Sequence, residues 1–154
     1  MQPLDLLKTA ETLLKGQARP LEANLRRAHS TVYYALFHCL ARACADGLIG
    51  GTRKTRSDKA WQQTYRALLH KPCKNACKNG LITRFPGAIR DFANLFVTMQ
   101  AKRHLADYDP LLRLTKSEVR ADIDLARQAI ADFTATPMKD RRAFCAFVLF
   151  KIQD

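Results

Sequence analysis

This sequence predicts an all-α fold, an up-and-down bundle of about five to six helices. Apolar residues recur at steps of three and four through most of the chain, the period of one helix face. Proline, glycine and capping residues punctuate those stretches at their ends. Only Ala143 to Phe150 has an apolar run that period alone would also allow as a buried strand, and nothing else in the chain reads as its partner.

Taken in order, Pro3 to Lys15 is a short amphipathic helix with Leu4, Leu7 and Leu14 inward. Pro20 opens a long helix whose stripe is Leu21, Leu25, Ala28, Val32, Leu36, Cys39 and Ala43, ending near Asp46-Gly47. The Gly- and Arg-rich loop Gly50 to Arg56 is not a phosphate-binding P-loop, because the Gly-x-x-x-x-Gly-Lys spacing is absent and a helix precedes it. Ser57 can cap a helix carrying Trp61, Tyr65, Leu68 and Leu69. Pro72 and Asn79-Gly80 bracket a basic connector of about one or two helical turns. The next helix runs from Phe85 to Tyr108 and is stopped by Pro110. Thr115-Lys116-Ser117-Glu118 is a capping box, flanked by Leu114 and Val119 as a hydrophobic staple, and it starts a helix with Val119, Ile123, Ala126, Ile130 and Phe133 on one face. Thr136-Pro137 starts the last helix, 136–154. Its apolar stretch needs burial on every side, which in a chain of this size predicts a homodimer interface.

The whole chain, 1–154, reads as a single domain with room for a real core. No apolar run is long enough to cross a bilayer, so no membrane partner is expected. Asp5 and Glu11 among the N-terminal leucines argue against a signal peptide and for a cytoplasmic protein. Of five cysteines, Cys39, Cys44 and Cys145 lie in apolar helical runs, while Cys73 and Cys77 have only His70 nearby as a further metal ligand. Free thiols, no metal and no cofactor are the expectation.

The net charge of +12 is concentrated. Between Arg53 and Arg84 stand nine basic residues (Arg53, Lys54, Arg56, Lys59, Arg66, Lys71, Lys74, Lys78 and Arg84) against the single acid Asp58. Such a block suits a polyanion, RNA in particular; the alternative is a solvated, solubilising face. Trp61 and Tyr65 within it suit single-stranded nucleic acid or, equally, core packing.

The stripe Phe85, Ile89, Phe92, Phe96, Met99, Arg103, Ala106 puts an arginine where an apolar residue belongs, with Asp107 at i+4 from it. Asp107 also faces the negative end of its helix dipole. A pair placed against local preference is either a ligand-orienting or catalytic pair, or a buried ion pair that fixes packing. Metal-independent RNA cleavage needs a base, an acid and a cation. Arg103 is the candidate cation. His104 lies about a quarter-turn away on the helix, and His38 could approach from the neighbouring helix or be a hydrogen-bonded seam histidine. Tyr33, Tyr34 and Tyr108 could stack on a base or complete the aromatic core.

Two segments carry a resemblance. Arg26 to His38 contains R-x-x-S-x-x-Y-Y-A-x-F-H, and Arg103 to Tyr108 contains R-x-x-A-D-Y. Together they resemble one branch of the HEPN superfamily. The resemblance implies a dimerising helical bundle with these motifs on a shared cleft. Many members are metal-independent ribonucleases, often toxins paired with a nucleotidyltransferase-type antitoxin; others are non-catalytic modules that bind a nucleotide or a partner protein. The nuclease members carry Arg, then four to six residues, then His. None of His29, His38, His70 and His104 has an arginine at that distance; Arg66 and His70 are one residue too close, and Asp107 and Tyr108 stand where the histidine would be.

Overall fold

The computed structural model describes residues 1–152. Among them are seven α-helices and one short 3₁₀ helix, with no strand. The helices are α1 (Pro3–Leu14), α2 (Glu22–Leu48), α3 (Asp58–Ala67), α4 (His70–Lys78), α5 (Gly87–Tyr108), α6 (Lys116–Thr134) and α7 (Met138–Leu149), with the 3₁₀ turn at Gly80–Arg84. The extra helix is α4, where the sequence suggested only a turn or two. Pro72 did not prevent it, because it occupies the first turn, where a missing N–H removes no intrahelical bond.

The long α2 is the axis of the bundle, touching α1, α3, α5, α6 and α7, while α4 bridges α5 and α7. The core between them is apolar and aromatic. Phe92 stacks on Phe133 at 4.6 Å between ring centroids, and Phe144 meets Phe133 edge-on at 6.0 Å. Leu36, Leu40, Ile89, Phe96, Met99 and Ile123 fill the space around them. All five cysteines are free and buried. Burial, with Cys145 nearby, pushes the Cys39 thiol up to about 12. Cys44 is raised by its contact with Cys145 and by burial, and Cys73 by its contact with Cys77 and by burial, so these thiols stay protonated.

Local chemistry explains most helix ends. Ser57 Oγ accepts from the Ala60 amide at 3.3 Å. The Thr115–Glu118 capping box closes in both directions, at 3.2 and 3.0 Å. Other ends departed from the pattern. Leu21 and Phe85 precede their helices in extended backbone, so neither lies on a helical stripe; Leu21 is exposed, and Phe85 packs instead on Phe144 and Phe147. Leu4 and Leu69 are also exposed. Gly47 stays helical and α2 continues to Leu48; the chain leaves it through Gly50, whose φ of +146° is open only to glycine.

Thr136 closes α6 rather than opening α7, its hydroxyl donating to the Phe133 carbonyl at 2.6 Å. The last two residues of the expected 136–154 helix lie outside those described, and α7 itself ends at Leu149. Phe144, Cys145 and Val148 are buried within the chain's own fold, where α7 packs on α2 and α4. The rest of the run is less covered: Ala146, Phe147 and Leu149 are half-buried, and Phe150 is exposed.

Candidate functional cleft between α2, α4 and α5

The R-x-x-S-x-x-Y-Y segment lies on α2 where it packs against the C-terminal half of α5. Helical spacing puts Arg26, Ser30 and Tyr34 in one row, each four residues from the next. Ser30 donates its hydroxyl to Asp107 at 2.5 Å. Arg103 Nη1 donates to the Tyr34 hydroxyl at 3.1 Å and lies 3.5 Å from Asp107. The same guanidinium sits 5.2 Å from the Tyr33 ring and 5.6 Å from Tyr34, at cation–π range. Its Nε is buried with no hydrogen-bond partner.

The Arg103–Asp107 pair is not the deeply buried packing device considered above. Its side chains keep 18% and 31% of their exposure, and Asp107 lines an open cavity of about 520 Å³ together with Ser30, Tyr34 and Tyr108. The charge cluster that is buried lies elsewhere. His29 Nε2 meets Asp122 at 2.7 Å, and Lys102 Nζ reaches both Asp122 oxygens at 3.1 and 2.9 Å. Sequence reasoning passed over this trio. The available signal was the same as for Arg103: Asp122 is an acid on an apolar stripe, between Val119 and Ala126.

Asp107 tolerates the negative end of α5 because Arg26 crosses to it. Arg26 donates to the carbonyls of Ala106, Asp109 and Leu112 at 2.9, 2.8 and 2.8 Å, neutralising orphan acceptors at the helix end. Arg26 is thus committed to backbone and to the Glu22 carboxylate, whereas Arg27 is exposed.

His70, which the motif reading set aside, joins the cleft from α4. Its ring stacks on Phe37 at 4.1 Å, and its Nδ1 shares a 2.6 Å hydrogen bond with the Tyr33 hydroxyl. Burial, then the Arg103 and His38 charges, lower its pKa. His38 sits one turn along α2 from Tyr34, with Nδ1 bonded to the Tyr65 hydroxyl at 2.5 Å. Burial and then the N-terminal amino group lower its pKa as well. Tyr33 is raised, by burial first, and keeps its proton. Both imidazoles are therefore neutral at pH 7, the form that can accept a proton. In an NMR titration the ring signals of His38 and His70 are expected to turn below the ordinary histidine midpoint of about 6.5; a midpoint at or above it would show that the rings are solvated. The sign for stability follows: folded pKa values below the unfolded one give stability that is present above about pH 6.5 and falls as the pH drops through the folded values.

The other candidates divide. His104 is exposed and packs on Tyr108, 4.9 Å between rings, with no side-chain hydrogen bond among the described residues. Trp61 and Tyr65 pin α3 to α2, Trp61 by an indole bond to Asp46 at 2.9 Å and Tyr65 through His38. Of the basic block, Arg56 is engaged with Asp46 and lies over Trp61 at 4.5 Å. Arg53 and Lys54 stand exposed in the loop, Lys59 and Arg66 on α3, Lys71 and Lys78 on α4, and Arg84 after it, while Lys74 is half-buried. Lys71 and Lys74 are close to His70 in sequence on the same short helix.

No protein-family model, curated protein or solved structure matches the chain. Among the described residues no cluster of three or more His, Cys, Asp or Glu side chains could hold a metal ion, and no helix is long and apolar enough to cross a membrane. The cleft therefore has to be interpreted from its own chemistry. Around Arg103 stand two neutral imidazoles, a carboxylate held by a serine, and tyrosine rings.

Proposed function

We propose that the chain is a HEPN-like, RNA-directed protein of toxin or defence type, cleaving RNA without a metal ion in the cleft between α2, α4 and α5. The observation that carries this reading is Arg103, held against the rings of Tyr33 and Tyr34, while the imidazole of His70 is tied to Tyr33 beside it. In such a reaction a neutral imidazole takes the proton of a ribose 2′-hydroxyl as that oxygen attacks phosphorus. The bond to the 5′-oxygen breaks, leaving a 2′,3′-cyclic phosphate, and the departing oxygen takes its proton from water, while the imidazolium formed in the first step returns its proton to solvent. Arg103 carries the charge that builds on the phosphorane. His70 replaces the missing same-helix histidine, with His38 as the second imidazole. Arg66, Lys71 and Lys74 would hold the RNA backbone next to them.

The partners fitting this reading are a second copy of the chain and a nucleotidyltransferase-type antitoxin. Besides the exposed end of α7 at Phe150, a second copy could cover the apolar rim of Leu105, Tyr108 and Leu111 beside the cleft, all exposed. Light scattering at micromolar concentration should give a dimer mass, lowered by Leu111→Asp.

The test is RNA cleavage by purified protein in chelator. Arg103→Ala is expected to lose at least about 10²-fold in rate while keeping its helical circular dichroism. Expression of the wild type should inhibit growth, and Arg103→Ala should relieve it. No cleavage at high protein concentration would leave the second reading, a non-catalytic module that binds a nucleotide or partner protein. What favours that alternative is the Ser30–Asp107 bond, which makes the cleft wall a formed hydrogen-bonding surface and offsets part of the Arg103 charge.

A further inference from the structure

A second cavity, of about 530 Å³, opens between the start of α1, the end of α2 and the α6–α7 corner. It shares no lining residue with the cavity beside Ser30 and Asp107. Its size is that of a small-molecule site. The walls are apolar, from Leu4, Ala43, Ile130, Phe133 and Met138. Leu4 and Met138 leave 49% and 50% of their surface in water here, an apolar exposure in a concavity that a ligand would relieve.

The rim is cationic. Arg42, Arg141 and Arg142 all line it, against the single acid Asp46. Arg141 is held by the carbonyls of Thr134 and Thr136. Arg142 uses only Nε, on the Gly47 carbonyl at 2.9 Å, and its terminal nitrogens are unengaged among the described residues. Arg42 approaches Asp46 no closer than 3.7 Å and makes no hydrogen bond there. Asp46 is already served by the Trp61 indole at 2.9 Å and by Arg56 at 3.4 Å. Two guanidinium groups with free donors thus stand over an apolar floor.

We propose that this cavity binds a small amphipathic carboxylate, its acyl body against Leu4, Ile130, Phe133 and Met138 and its carboxylate on Arg42 and Arg142. A guanidinium presents the fork geometry that a carboxylate fills with two parallel bonds. A purely polar anion would leave the floor wet, and an uncharged apolar ligand would leave the arginines unused. The assignment is independent of the RNA reading.

The chain's single tryptophan reports on the site, because Trp61 is bonded to a rim residue. Decanoate, below its micellar range, is titrated into the full chain with Trp61 fluorescence and calorimetry as readouts, beside decanol and acetate. Saturable one-to-one binding of decanoate is expected, at least ten-fold tighter than decanol, with no response to acetate. Arg42→Gln/Arg142→Gln should weaken it at least ten-fold. Ala43→Leu should fill the space and remove binding, with folding checked by circular dichroism; should that variant not fold, Thr134→Leu fills the cavity from its exposed wall. No saturable response to decanoate, equal binding of decanol, or a wild-type isotherm in the arginine or cavity-filling variants would overturn the proposal.

Discussion

Asp122→Ala is expected to cost about 1–3 kcal/mol of folding stability, the range for leaving a buried polar group without its hydrogen-bond partner. Asp122 and His29 keep only 6% and 4% of their side-chain exposure. Without the carboxylate, His29 Nε2 loses its partner at 2.7 Å, and Nδ1 of the same ring has none already. Lys102 can recover water, since its side chain is 40% exposed, so most of the penalty falls on His29. Asp122→Ala/His29→Leu should therefore recover much of the loss, because two apolar groups leave no orphaned polar atom. Urea unfolding followed by circular dichroism reads both; a loss below about 1 kcal/mol in the single variant would mean that water reaches the trio.

The same residue sets part of the acid response. Burial alone would raise the Asp122 pKa, but the hydrogen bonds from His29 and Lys102 outweigh it and the value is lowered. A folded pKa below the unfolded value of about 3.9 gives stability that is present above that pH and is lost as the pH falls through the folded value. The wild type should lose this increment on acidification, and Asp122→Ala, having none to lose, should show a flatter limb in that window.

Arg26→Ala is the second large effect, expected at about 2–4 kcal/mol, since bonds to charged donors contribute about 1.5–3 kcal/mol each and three made by one side chain are not additive. Arg26 ties the end of α5 and the chain beyond it to α2 through Ala106, Asp109 and Leu112. Arg26→Lys should not restore it, because an ammonium cannot fork to three carbonyls. Amide hydrogen exchange between Ala106 and Leu112 should accelerate more than elsewhere. Asp107 lies in that turn, so loosening it also disturbs the Ser30–Asp107 bond. Unchanged exchange across the turn would show that Pro110 and the packing of Ala106 hold it without Arg26.

The fold class and most helix ends were legible because their causes lie within a few residues. Ser57, the Thr115–Glu118 box and the stop after Tyr108 each act on backbone groups of their own turn. Where a local signal misled, its meaning depended on position. Pro72 reads as a breaker between turns but is harmless in a first turn, and Gly47 reads as a stop while the positive φ came three residues later at Gly50. Half of the cleft was legible in the same way, since Arg103 on an apolar stripe marks itself and Ser30 and Tyr34 lie in the other motif.

By itself the sequence determined the all-helical class, the order of the helices other than α4, most of their apolar faces and the concentration of positive charge in residues 53–84. The tertiary structure alone decided which polar residues meet. Ser30 and Asp107 stand 77 positions apart, Arg26 and Ala106 80, and His29 and Asp122 93. It also gave the arginines their partners: Arg26 went to backbone carbonyls, Arg56 to Trp61 and Asp46, and Arg103 to Tyr33, Tyr34 and Asp107. The physical reason is that periodicity specifies which face of a helix is buried. The rotation and offset of one helix against another come from how the side chains of both fit together.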